Sequence, residues 1–309
     1  MKIFQSIDDF ISPPSGIVIM IGKTDSLHLG HIALINETIG LGLELNCETG
    51  ILSLIPDFSN PIFMDQSKFI LTIDERKSFL QNWPIGQLIY QNMTPEFTSQ
   101  SARDFITNIL IEKFHVRGIV VGWDFVFGRG RDGDVDLLKT AGDKYGFTVK
   151  VIEPVTYHDL PIKTTLIREL ILDGDFMNAQ HLLGYPYFIS GTVVTGKGLG
   201  KGLGFPTANI DVPEEKLLPR FGVHIVRALF DNQVFWGLAN VGIRPTIEDD
   251  NSVVTEVWLK DYSGDLVGKE IKIEFFKFLR DEIKFPSLDE LKIQMKDDSA
   301  ELDEYLSQM

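Results

Sequence analysis

Short runs of consecutive apolar residues alternate with helical patterns along the first half of the chain. The run at 17–21 lies between Gly16 and Gly22, as expected for a strand buried on both faces of a parallel sheet. Similar runs occur at 51–55, 88–90, 118–121 and 148–152, with helical patterns at 73–80, 102–114 and 135–145 between them. This alternation predicts a doubly wound α/β domain, in which ligands bind at the carboxyl ends of the strands.

The pattern changes at Tyr187 to short alternating runs separated by Gly, Asn, Asp and Pro. These runs occupy 188–194, 222–230, 234–241, 253–259 and 270–278. They predict a small antiparallel β-barrel, which a helix near 288–295 closes. Helical patterns at 165–172 and 176–183 form the predicted connection, so we expect domains at 1–184 and 185–309.

Composition excludes several classes of partner. The chain has 309 residues and a net charge of −15, which argues against a nucleic-acid or anionic-membrane surface. Its one cysteine, Cys47, excludes an intrachain disulfide framework. The first ten residues have no basic region followed by an apolar core, and no apolar run approaches about 18 residues. We therefore expect a cytoplasmic protein that acts on small molecules; the sequence does not define its oligomeric state.

A glycine-rich segment at 191–209 combines a candidate phosphate loop with candidate metal ligands. Glycines let the backbone approach a polyphosphate, and lysines between them supply positive charge. The residues of this predicted phosphate site are Gly196, Lys197, Gly198, Gly200, Lys201 and Gly202. If 206–209 is extended, Thr207 and Asn209 point the same way and offer two oxygen ligands to Mg²⁺. A flexible glycine hairpin is the alternative, whereas a Walker A loop is excluded because Gly202 follows Lys201.

Two further patterns indicate candidate catalytic residues. His28 and His31 fall where the first helix should begin, so both rings share one face beside an anion-attracting helix terminus. Such a pair can stabilise charge on a nucleotide phosphate. In 253–259, Glu256 is the only acid within an otherwise uncharged strand, and a carboxylate held there can act as a general base. A solvent-facing glutamate on an edge strand is the alternative for Glu256.

The segment HLGH at 28–31, after the apolar strand, resembles the signature of the nucleotidylyltransferase superfamily. GWDFVFGRGR at 122–131 and IKTTLIR at 162–168 resemble segments of the bacterial bifunctional riboflavin kinase/FMN adenylyltransferase family. The resemblance implies catalytic roles for His28 and His31 and ATP or phosphate contacts at Gly22, Asp25, Gly30, Thr164, Thr165 and Arg168. It also implies flavin contacts at Asp124, Phe125 and Phe127. On pattern alone, the two phenylalanines suit a core, and Thr164 and Thr165 suit a helix cap.

The second half resembles bacterial riboflavin kinase in three segments, GLGKGLGFPTAN at 198–209, GLANVGIRPT at 237–246 and FLRDEIKF at 278–285. The resemblance implies that Thr207 and Asn209 hold Mg²⁺ and that Glu256 is the base. It places Arg280 and Glu282 near the flavin. ATP, riboflavin and FMN are the implied substrates.

Several positions depart from the family pattern. The departures are Lys23, Thr24 and Ser26 for Asn, Phe and Gly, Asp57 for His, Lys163 for Ser and Trp258 for His. Five of them lie in the first half, so one alternative is an enzyme that keeps one activity, the kinase. Another is a flavin-binding regulatory protein without catalysis.

Overall fold

The computed structural model describes residues 1–56, 68–196, 204–243 and 253–309. The chain divides into two compact units, Met1–Ile162 and Lys163–Met309. The sequence predicted a boundary after Gly184, and the two helices between these positions pack within the second unit. The predicted functional boundary at 184 stays a prediction.

The first unit contains a parallel sheet of six strands in the order β1-β4-β3-β2-β5-β6. Its strands are β1 Lys2–Phe4, β2 Ile17–Gly22, β3 Glu48–Ile55, β4 Gln87–Asn92, β5 Val116–Gly122 and β6 Thr148–Ile152. The chain moves from β2 outward to β3 and returns to the other side of β2 at β5. This reversal creates a crevice at the carboxyl ends of β2 and β5, where ligands bind in such folds.

Helices cover this sheet, and the predicted α/β fold is confirmed. They are α1 Leu29–Leu45, α2 Ile73–Leu80, α3 Pro95–Ser99, α4 Ala102–Asp104, which continues as a π-helix Phe105–Lys113, and α5 Val135–Tyr145. A 3₁₀ turn spans Arg129–Arg131, and a hairpin joins β7 Thr156–Tyr157 to β8 Leu160–Pro161.

Strand β2 lies at the centre of the first unit. Ile17, Ile19 and Ile21 pack into one cluster with Phe105 and Leu138. Both faces of a central parallel strand lie under helices, which is why its sequence is apolar without alternation. Each such side chain contributes about 2 kcal/mol on burial. The strand is thus a rigid support for the loop that follows it.

The second unit is a closed antiparallel barrel in the order β10-β13-β12-β11-β14-β9, which confirms the predicted barrel. Its elements are α6 Thr164–Asp173, α7 Phe176–Leu183, β9 Phe188–Val194, β10 Thr207–Asp211, β11 Gly222–Phe230, β12 Gln233–Ile243, β13 Val253–Leu259, β14 Glu270–Arg280 and α8 Leu288–Ser307. The closing helix therefore runs to Ser307, well past the predicted end at 295.

Helix α8 packs on the barrel through apolar residues near its end. Leu302 is fully buried against Val223, Ile225 and Leu238, and Trp258 lies at the edge of the same cluster. The even positions of β13 therefore share the barrel face that α8 partly covers.

Candidate functional site

The loop after β2 is fixed by hydrogen bonds to residues distant in the sequence. The carboxylate of Asp25 accepts from the Ile70 N–H at 3.0 Å. Thr24 is fully buried, and its hydroxyl lies 2.7 Å from that of Ser53 on β3. Ser26 is also fully buried. Two of the unusual residues of this loop therefore form part of the interior, where small hydroxyl side chains fit.

His28 is the N-cap of α1, and the sequence predicted that the helix begins at this histidine pair. Its Nδ1 accepts from the N–H groups of Gly30 at 3.1 Å and His31 at 3.4 Å. Because Nδ1 accepts, the proton of the neutral ring lies on Nε2, from which it can be donated to an anion. The Gly30 N–H serves this cap, and its predicted phosphate contact stays a prediction.

The two histidine rings stack with their centroids 4.0 Å apart. Burial lowers the pKa of His28 to about 4. Burial also lowers the pKa of His31 well below its usual value, and the charges of His28 and Arg76 add to that effect. Both rings are therefore neutral at pH 7. Their predicted contacts with phosphate stay predictions.

Arg76 is a functional candidate that the sequence did not reveal. Its side chain is fully buried, its Nε donates to the Leu71 carbonyl at 3.0 Å, and its guanidinium lies over the Phe69 ring. The sequence at 73–80 predicted only a helix, and nothing in that pattern marked Arg76 as a candidate site residue. Burial beside His31 makes Arg76 a source of positive potential in the first site.

Gly30 and the strained backbone of Leu27 shape the junction between β2 and α1. A Cβ at Gly30 would lie 2.9 Å from Cε1 of His28, so only glycine lets that ring fold back over the helix. Leu27 is fully buried with φ 43°, a left-handed conformation that is costly for a branched side chain. At Gly22 a Cβ would meet only Cε of Met20, at 3.9 Å.

The turn after β5 contains the predicted flavin residues, with different exposures. Asp124 is exposed and Phe125 half-buried. Phe127 is buried in the core cluster, 5.4 Å from the Phe105 ring. The packing alternative therefore holds for Phe127, and flavin contacts at these three residues stay predictions. The turn lies at the carboxyl end of β5, beside the end of β2.

The predicted phosphate residues of α6 belong to the second unit. The helix begins at Thr164, and its N-cap is Lys163, which makes no side-chain capping hydrogen bond. Thr164 and Thr165 thus lie inside the first turn, and the capping alternative for them is wrong. Their predicted phosphate contacts, and that of Arg168, stay predictions.

The barrel site is assembled by strand register. Asn209 of β10 pairs with Glu256 of β13, and on the other side Glu256 pairs with Asn240 of β12. Thr207 lies opposite Trp258. Direct cross-strand partners on one face lie about 5 Å apart, so these polar side chains form one row. The strand alternation predicted for Glu256 and Trp258 is confirmed, since Thr255, Val257 and Leu259 are buried on the other face.

Asn209 lies close to the start of the glycine segment. It is 8% exposed, and a Cβ at Gly196 would clash with its amide. Glycine at 196 therefore permits the approach of backbone to the candidate metal ligand. Lys197, Gly198, Gly200, Lys201 and Gly202 lie outside the described residues, as do Asp57 and residues 244–246.

Arg280 and Glu282 follow the end of β14. Arg280 forms a bidentate ion pair with Asp298 of α8, at 2.9 and 2.7 Å, and Asp298 is buried. The amide of Asn240 points to Glu282 at 3.5 Å, and a Cβ at Gly242 would clash with that carboxylate. Arg280 thus fastens the closing helix, whereas flavin contacts of both residues stay predictions.

Asn240 lies within the 237–246 segment that resembles riboflavin kinase but had no individual role assigned from the sequence, and Asp298 was missing from the candidates altogether. Asn240 interrupts an apolar strand, which is a usable signal for a polar site residue. Asp298 carries no such signal, because α8 is rich in acids.

Within 1–56, 68–196, 204–243 and 253–309, no group of three or more His, Cys, Asp or Glu side chains is arranged to hold a metal ion. None of the helices in these ranges is long and apolar enough to span a membrane.

Comparison with known proteins assigns each half of the chain to a family model. Residues 11–166 match FAD synthetase, and residues 183–306 match riboflavin kinase. A solved structure from Streptococcus pneumoniae, described as a macrolide-efflux protein, is 28% identical with a TM-score of 0.86 and covers 97% of each chain.

Curated relatives match over nearly the full length. A bifunctional riboflavin kinase/FMN adenylyltransferase from Buchnera aphidicola (Acyrthosiphon pisum) is 34% identical and covers 99% of both chains. The protein of that name from Escherichia coli K12 is 33% identical over 99% of this chain and 98% of its own. The chain therefore belongs to the bifunctional riboflavin kinase/FMN adenylyltransferase family.

Proposed function

We propose that the chain catalyses two successive reactions, phosphorylation of riboflavin by ATP in the barrel and adenylylation of the FMN product in the α/β domain. The register that pairs Asn209 with Glu256 carries the proposal, because it sets a base beside a candidate metal ligand. Family membership over both halves supports the pairing of activities. The functional domains are 1–184 and 185–309, and the enzyme acts in the cytoplasm on small molecules alone.

In the barrel, Glu256 accepts the proton of the primary hydroxyl of riboflavin. As the proton leaves, the oxygen bonds to the γ-phosphorus of ATP, and the bond to the bridging oxygen breaks to release ADP. Glu256 is half-buried between Asn209 and Asn240, which limits the directions its carboxylate can take. The ATP phosphates contact the glycine segment from Gly196.

Thr207 and Asn209 fit Mg²⁺. Their hydroxyl and amide oxygens are hard ligands, and alternation along β10 directs both side chains to the face of Glu256. When bound, Mg²⁺ neutralises negative charge on the phosphates. Asn209 is nearly buried, so its amide is oriented before the metal arrives.

In the α/β domain, His28 and His31 stabilise the charge that develops at the α-phosphate of ATP. The Nε2–H of His28 donates to a phosphate oxygen while its Nδ1 stays engaged with the helix backbone. FMN attacks the α-phosphorus, and pyrophosphate leaves. Asp124 and Phe125 contact the flavin.

The kinase-only alternative receives little support from the loop after β2. Thr24 and Ser26 replace larger or more flexible residues of the family, yet both are buried in the interior, and His28 caps α1 beside them. The α/β domain therefore keeps its adenylyltransferase activity beside the kinase activity of the barrel.

One assay tests the proposal directly. Purified protein supplied with riboflavin and Mg-ATP is expected to form FMN first and FAD afterwards, as separated by chromatography. Accumulation of FMN without FAD would support the kinase-only alternative. Flavin binding without either product would support a regulatory protein.

A further inference from the structure

Two cations lie at the carboxyl edge of the first sheet. Lys23 follows Gly22 at the end of β2, and Arg131 ends the 3₁₀ turn after β5. The two strands are adjacent and parallel, with Met20 beside Val120, so their ends open into the same crevice. In a chain with a net charge of −15, positive groups at this edge form a local site for an anion.

The position of Arg131 is fixed by the turn that carries it. The carboxylate of Asp132 accepts from the Ala102 N–H at 3.0 Å, and Phe127 and Gly133 exchange two backbone hydrogen bonds at 3.0 Å. Arg131 itself has φ 64°, a left-handed conformation that non-glycine residues adopt at a cost. The surrounding turn imposes this backbone conformation on Arg131, whose side chain is exposed at the same edge of the sheet.

Lys23 connects this turn to the histidine pair. A hydrogen bond joins the His31 ring to the backbone of Lys23. Neighbouring protein atoms desolvate the Lys23 ammonium and lower its pKa, and the positive charge of Arg131 lowers it further. Like charges held near each other are unfavourable, and an anion bound between them removes that repulsion.

We propose that Lys23 and Arg131 together bind the phosphate of FMN during adenylylation. The inference rests on the proposed function of the first domain. Arg131 belongs to the turn that carries Asp124 and Phe125, the flavin candidates, while Lys23 adjoins the histidines that face ATP. An anion between the two cations is therefore the phosphate that connects flavin and nucleotide.

The reaction uses only FMN and ATP. An oxygen of the FMN phosphate dianion forms a bond to the α-phosphorus of ATP, and the bond from that phosphorus to the β-bridging oxygen breaks. Pyrophosphate leaves with the electron pair. Lys23 and Arg131 bind and orient the dianion. Lysine stands where the family has asparagine, so this chain gains a charge at that point.

The test uses full-length Lys23→Asn, which restores the family residue, and Arg131→Gln. Lys139→Asn is the control, because it removes one exposed positive charge from α5 in the same unit. Each site variant is expected to raise the KM for FMN about tenfold, as loss of one charge-assisted hydrogen bond implies. The KM for ATP and the rate of riboflavin phosphorylation should change less than twofold, and Lys23→Arg should restore the KM for FMN.

Binding measurements distinguish the absence of this phosphate subsite from the absence of adenylyltransferase activity. Calorimetry with FMN, riboflavin and pyrophosphate is performed on the same proteins without turnover. Weaker binding of FMN by Lys23→Asn, with riboflavin binding unchanged, supports the subsite even if no FAD forms. A rise in the KM for ATP or weaker pyrophosphate binding, with FMN unaffected, would assign the cations to ATP and overturn it. Unchanged affinities for all three probes would overturn it as well.

Discussion

The two candidate sites are built in different ways. In the first unit, His28 and His31 lie three residues apart at one strand-to-helix junction, and their own backbone orients them. In the second unit, Asn209, Glu256 and Asn240 come from three strands and meet only through register. The first site, called the junction site below, depends on local geometry. The second site depends on the whole sheet, because strand register assembles it.

The candidate catalytic side chains of the two sites also differ in burial. His28 and His31 are 8% and 9% exposed with lowered pKa values, whereas Glu256 is half-buried. We therefore expect the first site to respond to changes of pH and backbone shape, and the second to respond to removal of one carboxylate.

The largest expected effect is loss of the kinase activity alone when the candidate base is removed. Glu256→Gln should lower FMN formation by about a thousandfold, because a general base contributes roughly 10² to 10⁴ in rate. Adenylylation of supplied FMN should be unchanged. Glu270→Gln, an exposed acid on β14, is the matched control. Equal loss of both activities in Glu256→Gln would show that the kinase base lies elsewhere.

The next effect tests the double role of His28. His28→Asn keeps an N-cap acceptor but loses the ring donor, so adenylylation should fall roughly a hundredfold with little loss of stability. His28→Ala should lose the same activity and also about 1 kcal/mol of stability. The measurements are FAD formation and thermal unfolding. Full activity in His28→Asn would limit the residue to capping.

A buried histidine outside both sites predicts a pH effect on the barrel. His224 is fully buried beside Phe176, Phe275 and Phe278, and its Nε2–H donates to the Arg220 carbonyl at 2.8 Å. Burial lowers its pKa to about 4, against the ordinary 6.5 of the unfolded chain.

Between pH 6.5 and 4 the unfolded state therefore binds more protons, and the stability of the second unit falls as pH falls. The loss from His224 is about 3 kcal/mol by pH 4. Denaturant unfolding of the wild type and His224→Leu across this range tests it: the variant should lose less stability on acidification. Parallel pH profiles for the two proteins would contradict the assignment.

The smallest effect tests the local geometry of the junction site. Gly30→Ala places a Cβ 2.9 Å from the His28 ring, so adenylylation should fall a few-fold as the ring shifts. Gly40→Ala in the same helix meets no atom within 4 Å and should raise stability by up to about 1 kcal/mol. FAD formation and thermal unfolding report both. Unchanged activity in Gly30→Ala would show that the ring does not need that position.

Much of the fold could be predicted from the sequence because the periodicity of its apolar residues is strong. The continuous apolar run before His28 predicted a central strand, and alternation around Glu256 predicted which side chains share its face. The end of α8 was missed, since its acidic surface hides the few apolar positions, such as Leu302, that pack on the barrel.

The sequence by itself determined the two halves, the order of their motifs and the junction that carries His28 and His31, because these depend on residues close in the chain. Only the tertiary structure decided that Asn240 flanks Glu256 and that Arg280 binds Asp298. Strand register and burial join residues far apart in sequence, and no local pattern encodes which distant partner a side chain will meet.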